Sequence, residues 1–293
     1  MSLNEMLDNE LANILEKKKE VNNKSILVLS GGGIKGISQL GALKVLDEQN
    51  ILKNIITFAG TSVGATICAL LVVGYTPDEL FEFITVFDLK KIKSEESDNI
   101  FKSYGLDDGK NINIILRNMF IKKKIDPDIT FIELYKKTLK KLILTSSCIN
   151  DKKVYYFSHE TTPDMNVIKA IKMSISIPIL FSPTIHEDKM FIDGACIDNY
   201  PIELFGNTLD SVVGIYVKSK SVENSKIHNI EDYLTNLIQC IFEGVITTSI
   251  KGYEKQTIKI DSDYIAINFD ISKEDKSLLF LEGYTSAKKY FSN

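Results

Sequence analysis

Near the start of the chain, two short apolar runs each pass through a glycine-rich turn into a stretch of helical length. The first, Ser25–Ser30, leads through Gly31–Gly36 into a helical pattern over 37–49. The second, at about 55–59, leads through the turn GTSVGA into an apolar helix over 63–73. Two strand–turn–helix units in succession predict a mostly parallel sheet covered by helices, an α/β fold. Pro77 opens a further helix, since a proline lacks only a hydrogen that the first turn leaves unpaired anyway.

Residues 90–110 are polar and glycine-punctuated and read as a loop or cover. Helices are predicted near 111–121 and 130–141, the latter opened by a capping box of Thr130 with Glu133. LILTSSCINDKKVYYFS reads as a hairpin turning at Asp151–Lys153, and DMNVIKAIKMSIS as a helix stopped by Pro178. TIHEDKMFIDGA reads as a second hairpin that delivers Asp193 at its end. The pattern then predicts a strand at 211–218, an amphipathic helix at 230–250, a strand near 264–268 and a terminal helix over roughly 273–292.

At the N-terminus, Leu3, Met6, Leu7, Leu11, Ile14 and Leu15 recur at helical spacing ahead of Lys17–Lys19. Residues 1–22 are therefore expected to form an amphipathic helical extension, docked on the body of the protein or touching a membrane surface. Residues 23–293 are expected to form a single domain. Glu5, Asp8 and Glu10 stand where a signal peptide needs an apolar stretch, and the run Ala65–Val73 is too short to span a bilayer. A soluble, cytoplasmic protein with at most peripheral membrane contact is expected. The net charge of −4 disfavours nucleic acid as a bulk electrostatic partner. Cys68, Cys148, Cys196 and Cys240 are scattered without metal-ligand spacing, so reduced thiols are expected and no metal.

Gly31, Gly33 and Gly36 satisfy G-x-G-x-x-G, which serves either a pyrophosphate or the developing oxyanion of an ester under attack. A dinucleotide site calls for an acidic residue at the end of the second strand. Here that strand ends at Ala59-Gly60 without one, and Gly60-Thr61-Ser62-Val63-Gly64 forms a G-x-S-x-G between an apolar strand and an apolar helix. A serine at such a sharp turn projects its Oγ into the open, while flanking glycines let backbone pass without a Cβ clash. Ser62 is the candidate nucleophile. The N–H groups of Gly32 and Gly33 are the candidate oxyanion donors, helped by the helix dipole behind them. Lys35 stands either at the mouth of that site or in solvent.

A serine hydroxyl needs a proton acceptor. His159 and His186 stand in no recognisable motif, and the order serine, acid, histidine would call on His228, in the polar stretch SVENSKIHNIED. Asp193, in MFIDGA, is the stronger candidate, because a strand end and Gly194 aim a short carboxylate at a confined spot.

Taken in order, Gly31-Gly32-Gly33-Ile34-Lys35-Gly36, Gly60–Gly64 and Asp193-Gly194-Ala195 resemble the patatin-like phospholipase family, whose pattern is G-G-G-x-[RK]-G, then G-x-S-x-G, then D-G-[GA]. MSISIP (173–178) and DNYP (198–201) resemble its secondary motifs, and the likeness spans roughly 25–205. It implies a helix-flanked, mostly parallel sheet and a Ser62–Asp193 dyad with the 31–36 backbone as oxyanion hole. It also implies phospholipid or other acyl-lipid substrates met at a membrane surface, and neither metal nor cofactor. A lone aspartate is a poor base at its ordinary pKa of about 3.9, so the dyad demands a carboxylate raised by desolvation. Two other readings stand beside it. One is an α/β-hydrolase-like esterase using Ser62, Asp193 and His228 on small esters; the other is a non-enzymatic lipid-binding protein.

Overall fold

Strand β1 (Ile26–Leu29) is apolar throughout because both of its faces are covered. Leu27 and Leu29 join one core cluster and Val28 another, the alternation that a pleated strand imposes. The computed structural model describes residues 23–93, 100–219 and 227–292. The expected helix over 1–22 and part of the 90–110 segment lie outside the described residues.

The strands after β1 are β2 (Thr57–Thr61), β3 (Gly105–Asp107), β4 (Lys141–Cys148), β5 (Lys153–Phe157), β6 (Ile179–Phe181), β7 (Thr184–His186), β8 (Lys189–Asp193), β9 (Val212–Ser219) and β10 (Thr257–Ser262). The main sheet has the order β10-β9-β1-β2-β4-β8-β7, with β5 also paired to β4. From β10 to β4 all pairings are parallel, whereas β5 and β8 run antiparallel to β4.

The principal helices are α1 (Gly36–Glu48), α2 (Val63–Val73), α3 (Pro77–Val86), α4 (Lys110–Lys122), α5 (Phe131–Thr138), α6 (Val167–Ser174), α7 (Ile230–Ser249) and α8 (Lys273–Ser292). On one face, Phe58, Leu142, Leu144, Val213 and Ile215 pack with the apolar sides of α1, α2 and α6. On the other, Ala59, Ile143 and Tyr216 meet Tyr200, Ile202 and, from α7, Phe242. Helix α2 is buried along nearly its whole length, which explains why its sequence is apolar all round rather than striped. None of the described helices is long and apolar enough to cross a membrane.

Two expectations need correction. The strand expected near 264–268 lies earlier, at β10, and residues 264–268 instead form a turn over the glycine loop, where Ala266 C=O accepts the Ile34 N–H at 2.8 Å. As an edge strand, β10 carries an exposed Lys259 that weakens its apolar signal, while Ile267 is apolar because it packs beside Ile177 and Phe181. Within the segment read as a loop, β3 pairs with β6 in a separate two-stranded sheet. Three residues are too few to leave a period in the sequence.

Candidate active site

Strand β4 brings the two halves of the site together. Its residues Leu144–Cys148 pair with β5 along one edge. Along the other, Thr145 pairs with Thr61 at the end of β2, and the next residue, Ser146, pairs with Asp193 at the end of β8. Two strands running in opposite directions thus end face to face. The side chains of Ser62 and Asp193, 131 positions apart in sequence, meet there.

Ser62 comes directly after β2 and precedes α2. Its φ of 56° and ψ of −124° lie where a residue with a side chain is strained, as expected of a nucleophile elbow. The flanking glycines have a steric reason: a Cβ on Gly60 would fall 2.6 Å from the Gly64 carbonyl carbon, and one on Gly64 would fall 2.5 Å from Ser30 O. The Ser62 N–H donates to Ser174 Oγ at 2.9 Å, and Thr61 Oγ1 donates to Asp198 O at 3.0 Å. Val63 packs against Gly36, where a Cβ would lie 2.5 Å from its side chain, so loop and elbow are in contact.

Ser62 Oγ donates to Asp193 Oδ2 at 2.6 Å, and the Ala195 N–H donates to Asp193 Oδ1 at 2.8 Å. Asp193 is fully buried. Burial pushes its carboxyl up to about 7, against the opposing pull of the bonds from Ser62 and Ala195. That value is suited to taking and returning a proton near neutral pH. Gly194 begins the single turn that places the Ala195 N–H under the carboxylate.

In the glycine loop, the Gly31 N–H is committed to Asn199 O at 3.0 Å and that of Ile34 to Ala266 O. Those of Gly32 and Gly33 donate to no group among the described residues. Both residues line a cavity that Ser62 also lines, and α1 starts three residues on. Gly33 has a φ of +56°, and a Cβ there would collide with Ala266 O.

Lys35 is neither at an open mouth nor solvated. It is 2% exposed, and its Nζ donates to Ser219 Oγ at 2.9 Å. Burial holds its pKa below the ordinary lysine value, and the nearby Glu243 carboxylate works against that shift.

The histidines stand apart from this arrangement. His159 stacks on Tyr135 with ring centroids 3.8 Å apart, and His186 Nδ1 lies 3.2 Å from Lys169 Nζ. His228 is exposed just before α7, whereas the described bonds of the buried Asp193 carboxylate are to Ser62 and Ala195.

Two cavities meet at Ser62. One, of about 220 Å³, is almost wholly apolar and runs between α1, α2, α3 and α4, past Leu40, Ile67, Leu80, Phe83, Leu116 and Met119. The other, of about 520 Å³, is lined by Gly32, Gly33, Lys35, Asn199, Ser219 and Glu243 among others. Sequence reasoning missed Ser174, Asn199, Ser219 and Glu243 as site residues. MSISIP and DNYP marked the first two as motif members without a task; Ser219 and Glu243 carry no local signal.

A family model for patatin-like phospholipases matches residues 27–205. The probable lipid hydrolase 463L of Invertebrate iridescent virus 6 is 39% identical over 184 residues, 61% of this chain and 62% of that protein. The uncharacterized protein R571 of Acanthamoeba polyphaga mimivirus is 27% identical over 95% of this chain and 97% of its own. Among solved structures, VipD from Legionella pneumophila superposes with a TM-score of 0.66 at 16% identity, covering 92% of this chain and 67% of VipD. The type III effector ExoU, from Pseudomonas aeruginosa, gives 0.55 at 18% identity, over 92% of this chain and 53% of its own. The two structures share the fold. The family match opens inside β1 and closes beyond the Asp193 turn, so it takes in loop, elbow and acid in their order: the chain belongs to the patatin-like phospholipase family.

Proposed function

We propose that the chain is a lipid acyl hydrolase that cleaves carboxylic esters of phospholipids or related acyl lipids, with Ser62 as nucleophile and Asp193 as general base. The observation that carries this reading is the 2.6 Å Ser62–Asp193 bond at the junction of an apolar cavity and one of mixed lining that holds charged and amide side chains. The name of the viral relative, a probable lipid hydrolase, agrees with it.

In the first half-reaction, Ser62 Oγ attacks the ester carbonyl while its proton passes to Asp193 Oδ2. The carbonyl oxygen becomes an oxyanion, stabilised by the N–H groups of Gly32 and Gly33; such donors contribute about 2.7–4 kcal/mol each. Collapse breaks the bond to the alcohol, which leaves with the proton held by Asp193. Water then attacks the acyl-Ser62 ester, gives its proton to Asp193, and the acid departs as Ser62 recovers that proton. The acyl chain lies in the apolar cavity and the alcohol in the mixed one. The enzyme works from the cytoplasm, touching a membrane surface transiently.

Treatment with a fluorophosphonate and peptide mass spectrometry tests the assignment. The adduct is expected on the peptide holding Ser62, and Ser62→Ala is expected to lose both label and lipid hydrolysis. Label on a different serine, or hydrolysis that survives in Ser62→Ala, overturns it.

A further inference from the structure

The mixed cavity holds charges that the dyad does not use. Lys35 Nζ donates to Ser219 Oγ, and Ser219 Oγ donates to Glu243 Oε1, each at 2.9 Å. Lys35 is therefore matched across one hydroxyl by a carboxylate rather than by solvent. Among the described residues, the charged groups lining this cavity are Lys35, Glu243 and Asp263, one cation against two carboxylates.

Asn199, which lines the same cavity, carries a donor without an acceptor. Asn199 is 1% exposed, and its Nδ2 is buried with no partner among the described residues. A Cβ placed on Gly31 would collide with Asn199 Oδ1 and lie 3.2 Å from Ser62 Cβ, so this amide stands beside the nucleophile. A buried N–H without an acceptor is costly, and an oxygen on a bound alcohol would remove that cost.

Which alcohol fits is decided by Glu243. A hydroxyl group both accepts and donates, so a polyol can accept from Asn199 and donate to a carboxylate. An ionised phosphate oxygen can only accept, and it would bring negative charge against Glu243 and Asp263. Lys35 offsets this only in part, because it is 2% exposed whereas Glu243 is half-buried and presents its charge more openly to the cavity.

We propose that this cavity is the alcohol subsite, and that Glu243 makes it select uncharged, hydroxyl-bearing leaving alcohols, such as the glycerol of a neutral glyceride, over phosphate-bearing ones. The proposal rests on the hydrolase reading above and narrows its substrate class. Ser219 and Glu243 both lie outside the matched residues 27–205, so this selectivity is set by β9 and α7 rather than by the shared motifs.

The test compares wild type with Glu243→Gln on three esters of one acyl chain: a nitrophenyl ester, a monoacylglycerol and a lysophosphatidic acid. Both lipids are presented at equal mole fraction in uncharged detergent micelles. Wild type is expected to favour the monoacylglycerol by about tenfold or more in kcat/KM, and Glu243→Gln to narrow that ratio by about tenfold, equivalent to roughly 1.4 kcal/mol. A wild type that cleaves the anionic lipid as well as the neutral one, or a ratio that Glu243→Gln leaves unchanged, overturns the proposal. If circular dichroism shows Glu243→Gln misfolded, Glu243→Ala carries the same comparison. Cleavage of the nitrophenyl ester with neither lipid cleaved overturns the subsite and leaves the Ser62 reading standing. No cleavage of any ester overturns both.

Discussion

Ser174 Oγ accepts the backbone N–H of Ser62 at 2.9 Å, and so holds the strained residue at the elbow from the end of α6. Ser174 is fully buried, so no solvent can replace it. Ser174→Ala leaves that N–H unpaired and is expected to cost about 1–3 kcal/mol of stability. It should also lower kcat/KM by about tenfold, since a loosened elbow no longer holds Oγ against Asp193. Denaturant midpoints and steady-state rates check both effects. A variant with wild-type stability and rate would mean that the elbow needs no support from α6.

The turns at Ser62 and Asp193 were legible because their backbone geometry demands particular residues at short range. Gly60 and Gly64 are fixed by backbone contact around Ser62, and Gly194 and Ala195 by the turn beneath Asp193. That Ser62 and Asp193 touch was not legible from spacing, because it depends on Thr145 and Ser146 of β4 pairing with two different strands. Lys35 was ambiguous for a similar reason. Its partners Ser219 and Glu243 are far along the chain, and neither sits in a motif. The strand at β10 was misplaced because apolarity alone does not distinguish an edge strand from the turn that closes a cavity.

If Asp193 is the general base, as proposed, activity should depend on its ionisation. Its carboxyl titrates at about 7 because it is buried, and only the ionised form accepts the Ser62 proton. The kcat/KM profile is therefore expected to rise with pH and level off above an apparent pKa near that value. A flat profile from about pH 5 to 9 would refute the raised carboxylate.

The same shift has a thermodynamic consequence. Unfolded, Asp193 titrates near about 3.9. Between about 4 and 7 the folded chain binds the extra proton, so this contribution is fullest below about pH 4 and is lost as the pH rises through 7. Asp193→Asn is nearly isosteric and cannot ionise. Its melting temperature relative to wild type should therefore increase between about pH 5 and pH 8, while turnover falls by about 10²–10⁴-fold. A relative melting temperature that does not change with pH would contradict the buried, ionisable assignment.

Dyad and triad are separated by His228. It is exposed ahead of α7, whereas Asp193 is buried against Ser62. His228→Ala is expected to keep its rate within about threefold and its stability within the ~0.5 kcal/mol usual for a surface change. A correctly folded His228→Ala without activity would establish the triad instead.

The apolar cavity yields the last prediction. If it holds the acyl chain, narrowing it should shorten the preferred chain without disturbing the chemistry. Leu116, on α4, lines the cavity and is 3% exposed. Leu116→Phe adds bulk in that wall at a packing cost of about 1–3 kcal/mol, which the fold must absorb. Nitrophenyl esters of increasing length provide the measurement. Rates on a short ester should change little, while those on long esters fall by about tenfold as methylenes lose their place, each worth about 0.8 kcal/mol when buried. A uniform fall across all lengths would mean that the substitution acts through the fold, and that the acyl chain lies elsewhere.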